Sequence, residues 1–168
     1  MTRYSGLCGV ALWAALVCST GVGAQPPHNL VHRMAPEFVR TDLAGGKIGL
    51  KSYRGKVVLL NFWATWCASC QMELPKFEAW QKKYGGDGLQ IVAVSMDDGA
   101  APVRRTVRRL NLDFPVVMGD ARLGDAYGGV LGLPVTYLID RDGRIAARFK
   151  GETDLSEMES QVKRLLAH

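Results

Sequence analysis

The sequence predicts an α/β fold: a mixed central sheet with helices on both faces, preceded by an N-terminal β-hairpin. Three observations predict it. Two runs, Val57 to Phe62 and Leu89 to Ser95, are apolar nearly throughout, as strands buried on both faces are. Each is followed by apolar residues at spacings of three and four, so the middle of the chain reads β-α-β-α. Late in the chain, two more strand-like runs flank the tight turn Arg141-Asp142-Gly143-Arg144 and precede a last helix. Parallel crossover units followed by an antiparallel hairpin give a mixed sheet.

Residues 1–24 stand outside this fold. Arg3 is followed by an apolar run from Leu7 to Val17, then by small residues ending in Val22-Gly23-Ala24. A positive start, an apolar centre and a small-x-small end make a secretory signal, with cleavage expected after Ala24. The competing reading is an uncleaved anchor over residues 7–24, nearly long enough to span a bilayer. Residues 25–34, beginning Gln25-Pro26-Pro27-His28-Asn29, are expected as a flexible leader, and residues 35–168 as one domain. The chain of 168 residues has room for one domain with a proper core.

Within the domain, residues 38–41 and 47–50 pair across Ala44-Gly45-Gly46 as the N-terminal hairpin, and residues 51–54 make a single turn. After the first central strand, residues 68–84 are expected as a helix with Leu74, Phe77, Trp80 and Tyr84 near one face, ended by Gly85-Gly86. Those aromatics read as core. Residues 102–110 form a second helix, with Val103, Val107 and Leu110 inward and Arg104, Arg105, Arg108 and Arg109 outward. The arginines read as a solvated face. Residues 114–118 are a short apolar segment and residues 120–127 a short helix. Residues 135–140 and 145–150 form the late hairpin. The last helix starts at Asp154-Leu155-Ser156-Glu157 and buries Leu155, Met158, Val162 and Leu165.

Charge narrows the function. Removing residues 1–24 takes one basic residue and no acid, so the formal charge falls from +5 to +4. No basic tract and no nucleic-acid motif accompany it, and no nucleic-acid partner is expected. Cysteines narrow it further. Cys8 and Cys18 leave with the signal, so the mature chain keeps Cys67 and Cys70 alone. A secreted protein whose two cysteines are three apart uses them for reaction rather than for closing a loop.

Cys67 and Cys70 sit where the strand ends and the helix begins. A helix N-terminus carries partial positive charge and unsatisfied N–H groups, which favour a thiolate on Cys67. Cys67 is therefore the candidate nucleophile. Cys70, one turn on, is placed to resolve a mixed disulfide by closing an intramolecular one. Zinc needs about four ligands, and the only histidines, His28, His32 and His168, lie at the termini. No metal and no cofactor are expected.

The block Gly55-Lys56-Val57-Val58-Leu59-Leu60-Asn61-Phe62-Trp63-Ala64-Thr65-Trp66-Cys67-Ala68-Ser69-Cys70 resembles the thioredoxin superfamily, and more narrowly its TlpA/ResA-like periplasmic thiol-disulfide oxidoreductases. Glu73-Leu74-Pro75, Gly132-Leu133-Pro134 and Tyr137-Leu138-Ile139-Asp140-Arg141-Asp142-Gly143 agree, over roughly residues 35 to 167. The resemblance implies a thioredoxin-like fold. It implies that Trp66 borders the reactive sulfur as part of the partner surface. It also implies a cis peptide before Pro134, with the backbone of Leu133 free to pair with an extended substrate. Glu73 matches a glutamate of the group and is a candidate to tune the cysteines or take the Cys70 proton; the competing reading is a solvated carboxylate. Thioredoxin has an acid where this chain has Asn61, and family members often have proline in place of Ala68-Ser69.

The function so implied is reduction of disulfides in extracytoplasmic client proteins, such as apocytochromes c or copper-site proteins. A membrane thiol reductase of the DsbD/CcdA type would recharge the pair, and the protein is expected to be a periplasmic monomer. An oxidant of the DsbA type is the nearest alternative, but that family has a histidine between its cysteines and a helical insertion. A peroxiredoxin-like peroxidase needs a threonine three residues before its cysteine, and Ala64 stands there. A metallochaperone is the remaining alternative.

Overall fold

The computed structural model describes residues 29–168. The signal or anchor over residues 1–24, and residues 25–28 of the expected leader, lie outside the described residues. The elements follow the chain as β1 (Val39–Thr41), β2 (Lys47–Gly49), a 3-10 turn (Leu50–Tyr53), β3 (Val57–Trp63), α1 (Ala68–Tyr84), β4 (Leu89–Ser95), α2 (Ala100–Leu110), β5 (Val116–Met118), α3 (Ala121–Ala126), β6 (Val135–Ile139), β7 (Ile145–Lys150) and α4 (Leu155–Leu166).

Strands β5-β4-β3-β6-β7 form the central sheet in that order. β3, β4 and β5 run parallel, while β6 and β7 are each antiparallel to their neighbours. This is the mixed sheet of a thioredoxin-like fold. β3 lies at its centre and is buried along its whole length. Alternate residues of β3 serve opposite cores. Val57, Leu59 and Trp63 join Leu74, Phe77, Val103, Met158 and Val162, so α1, α2 and α4 cover one face. Val58, Leu60 and Phe62 join Leu123, Tyr127 and Tyr137 on the other. That face is closed by α3 together with Leu30, Ala35, Phe38 and Leu50 from the N-terminal segment and hairpin.

The described end of the expected leader is docked onto the sheet rather than loose. The His32 N–H donates to the Ile145 carbonyl at 2.7 Å, and the Ala35 N–H to Gly143 at 2.9 Å. Leu30 is buried in the second core. The segment thus pairs with residues 143–145 at the start of β7, and Leu30 onward belongs to the folded domain. The hairpin β1–β2 pairs as expected, with Arg40 opposite Ile48. It touches the main sheet through an antiparallel bridge from Asp42 to Val117. The β6–β7 turn needs Gly143: its φ is +83°, in the left-handed region, and a Cβ there would meet the Arg54 guanidinium. Among the described residues no helix is long and apolar enough to cross a membrane.

Candidate active site

Parallel β3 ends at Trp63, and after four intervening residues α1 begins at Ala68. Cys67 is the N-cap of α1, with extended backbone, and its sulfur accepts the Cys70 N–H at 3.2 Å. A sulfur at this position offsets an unsatisfied helix-end donor and faces the positive end of the helix dipole, which stabilises a thiolate when the pair is reduced. Cys67 and Cys70 are joined as a disulfide with Cα atoms 5.3 Å apart. Cys67 is 7% exposed and Cys70 1%. Cys67 is thus the more accessible of the two.

Around the disulfide, the remaining candidates fall at one end of the sheet. Trp66 is 70% exposed beside Cys67, and Leu131 and Met72 are exposed as well. The Leu133–Pro134 bond is cis. Phe62 pairs with Val135, which sets Pro134 alongside the end of β3 where the cysteines follow. Pro134 is buried and Leu133 half-buried. Among the described residues, no hydrogen bond engages the backbone N–H or carbonyl of Leu133.

Glu73 is not a solvated carboxylate. It is buried on α1, and its Oε2 has no hydrogen-bond partner among the described residues. It lines a cavity of about 100 Å3 with Ser69, Met72, Glu152, Thr153 and Leu155. Burial, and then the negative charge of Glu152, push its carboxyl up to about 7. Glu73 thus holds or releases a proton near neutral pH, one turn beyond Cys70. Asn61 faces the same side of the sheet as Leu59 and Trp63. It is buried, and its amide donates to the Thr136 hydroxyl at 2.9 Å, leaving Oδ1 without a partner among the described residues.

One group at the site was not expected from the sequence. Asp97, two residues beyond β4, accepts from the Thr65 N–H at 2.9 Å and from the Thr65 hydroxyl at 2.5 Å. Gln71 donates to the Thr65 carbonyl at 2.6 Å and accepts from Arg109. The signal was present in the topology: parallel β3 and β4 pair Trp63 with Ser95, so the residues two beyond each strand meet. In sheets of this kind, sites form beyond the carboxyl ends of the strands.

A helix-capping cysteine, a buried partner one turn on and a thioredoxin-like sheet define a thiol-disulfide oxidoreductase. Residues 31–148 match the family model described as AhpC/TSA, and the chain belongs to that family. It is similar to the thiol-disulfide oxidoreductase ResA of Bacillus thuringiensis subsp. konkukian, 38% identical over 135 residues that cover 80% of this chain and 78% of the relative. It is also similar to the thioredoxin-like protein YneN of Bacillus subtilis, 37% identical with 77% of each chain covered. Among solved structures, a Chlorobium tepidum protein described as a thiol:disulfide interchange protein DsbE superposes with a TM-score of 0.74 at 30% identity. That match covers 79% of this chain and 95% of the other.

Proposed function

We propose that this enzyme is an extracytoplasmic reductant of protein disulfides. The observation that carries the reading is Cys67 capping α1 with its sulfur while Cys70 lies buried one turn on. In the dithiol form, the Cys67 thiolate attacks one sulfur of a client disulfide, forming a mixed disulfide and releasing the other client sulfur as a thiolate, which takes up a proton. Cys70 then loses its proton and attacks Cys67 Sγ. The Cys67–Cys70 disulfide forms and the second client thiol leaves, so two electrons pass to the client. In this reading Glu73 takes the Cys70 proton; its position one turn along α1 and a carboxyl pushed up to about 7 support the role. Trp66, Leu133 and Pro134 form the surface against which the client strand lies, with the free Leu133 backbone as its pairing edge.

The relatives' descriptions as ResA and as an interchange protein DsbE support this activity class. Residues 1–24 serve as the export signal or, uncleaved, as an anchor, which places the domain in the periplasm. There a membrane thiol reductase of the DsbD/CcdA type returns the pair to its dithiol form. The domain acts as a monomer on disulfide-containing clients, among which immature cytochromes c and copper-site proteins fit the family resemblance.

The test is single-turnover reduction of a protein disulfide by the dithiol form. Wild-type protein is expected to lose both thiols as the client gains two, and neither Cys67→Ser nor Cys70→Ser should complete the exchange. Wild-type turnover by Cys67→Ser would overturn the reading.

A further inference from the structure

We propose that Asp97 is a positioning residue for Cys67: through Thr65 it holds the reactive sulfur at the N-terminus of α1 when no disulfide is there to hold it. The proposal deepens the reading above and rests on Cys67 being the attacking thiol.

Three polar groups of Thr65 are engaged, and all point to partners outside its own loop. Its N–H and hydroxyl both go to the Asp97 carboxylate, at 2.9 and 2.5 Å. Its carbonyl accepts from Gln71 Nε2 at 2.6 Å. The carboxylate is itself fixed, because Asp97 Oδ2 accepts from the Ser95 hydroxyl at 2.8 Å and Asp97 N–H donates back to that hydroxyl at 3.2 Å. Ser95 is fully buried in β4, and the Met96 N–H donates to Trp63 at 2.8 Å, so this anchor belongs to the sheet and not to the loop. Gln71 is held in turn by Arg109 of α2. The peptide two residues before Cys67 is thus tied to β4 on one side and, through Gln71, to α1 and α2 on the other.

The consequence follows from the redox cycle. In the disulfide form, Cys67 is held by its bond to Cys70. In the dithiol form that bond is gone, and the sulfur keeps its place at the helix end only if the preceding loop does. Hydrogen bonds to a carboxylate are among the stronger ones in proteins, and the two from Thr65 share one acceptor group. Losing them frees the loop and removes part of the helix-end stabilisation of the thiolate.

A clamp and a charge predict opposite signs. As a bare negative charge, Asp97 would oppose the thiolate, and removing it would lower the Cys67 pKa. As a clamp, its removal raises that pKa. The buried carboxylate nearest in sequence on α1 is Glu73, with Glu152 across its cavity; both stay constant in every variant below.

The experiment is the pH profile of iodoacetamide alkylation of the reduced protein, with the modified cysteine identified by mass spectrometry. For Asp97→Ala, the Cys67 midpoint is expected to rise and the rate at pH 7 to fall about tenfold, the size of one lost hydrogen bond to a charged group. Thr65→Val keeps the N–H bond and loses the hydroxyl, so its shift should have the same sign and be smaller. Thr65→Ser restores the hydroxyl and should match wild type. Thr65→Val carries the test alone if Asp97→Ala does not fold. A downward shift in Asp97→Ala or Asp97→Asn overturns the clamp in favour of a charge effect. Midpoints unmoved in all variants, with only a lower Tm, overturn it in favour of a structural role. If wild-type protein reacted first at Cys70, the assignment of Cys67 itself would fail, an outcome seen without any variant.

Discussion

Cys67 and Cys70 are chemically identical and differ only in where the fold puts them. Cys67 is the more accessible of the two, and in the proposed mechanism it is the sulfur that attacks while Cys70 resolves. Cys70→Ser should therefore accumulate mixed disulfides through Cys67, visible as adducts on a non-reducing gel, whereas Cys67→Ser should accumulate none. Glu73 makes a second prediction at this scale. Its carboxyl rises from 4.5 to about 7, so between those pH values the folded chain keeps a proton that the unfolded chain has released. Stability then falls as pH rises through that window, by up to about 3 kcal/mol from this group, and no further above it. Denaturant melts of the oxidised protein, in which the cysteines do not titrate, should show this component. Glu73→Gln should flatten it and be the more stable protein at pH 8. A slope unchanged by Glu73→Gln would mean that Glu73 is ionised in the fold. The motif Glu73-Leu74-Pro75 was legible in the sequence, but its burial was not, because helix spacing alone does not say that the β7–α4 loop brings Glu152 and Thr153 over it.

At the scale of elements, what the sequence could carry was hydrophobic period and stop signals. The strand over residues 89–95 and the helix over residues 68–84 read off directly, because an unbroken apolar run and an aromatic stripe ending at Gly85-Gly86 leave little choice. The docking of residues 29–34 was hidden because it rests on backbone hydrogen bonds and on Leu30 and Val31, too few apolar side chains to show a period. The α2 arginines are exposed as expected, yet Arg104 donates to the Leu43 carbonyl and Arg109 to Gln71, so two of the four also tie α2 to its neighbours. Thr106 on the inward side is buried, a position that its polarity concealed. Tight packing where β4 meets β5 gives a prediction of its own. Gly119 donates to the Ser95 carbonyl at 2.7 Å, and a Cβ there would lie 2.8 Å from Val94 Cγ1 and 2.6 Å from Met96 Sδ. Val94 is fully buried and cannot swing away. Gly119→Ala should cost about 1–3 kcal/mol in a denaturant melt. The strain falls at Ser95 and Met96, next to Asp97, so the same variant should also slow Cys67 alkylation. A loss of stability without slower alkylation would mean that the β4 end and the active-site loop are not coupled.

For the whole molecule, the direction of electron flow is a comparison of two states of one fold. The protein works as a reductant if its disulfide form is favoured, relative to its dithiol form, more strongly than in an oxidant of the DsbA type. Potentials near −270 mV for thioredoxin and −120 mV for that oxidant bracket the range, and about 30 mV is about 1.4 kcal/mol for a two-electron couple. The bracket is therefore about 7 kcal/mol wide. The helix N-terminus stabilises the Cys67 thiolate and so favours the dithiol form. Ala68-Ser69 supplies no cation between the cysteines to add to it, and the Arg109 guanidinium is engaged by Gln71. Buried Glu73, once ionised, opposes a second negative charge beside it. The helix end therefore acts without a cation to help it and against ionised Glu73, so the potential should lie nearer thioredoxin's than the oxidant's. The same reasoning gives a pH signature. As Glu73 loses its proton near pH 7, the dithiol form should become still less favoured, and Glu73→Gln should lose that part of the dependence. Equilibration against glutathione buffers from pH 6 to 8 measures both quantities. A potential above about −170 mV would make the protein an oxidant. A pH dependence identical in wild type and Glu73→Gln would remove Glu73 from the redox couple while leaving the direction of transfer intact.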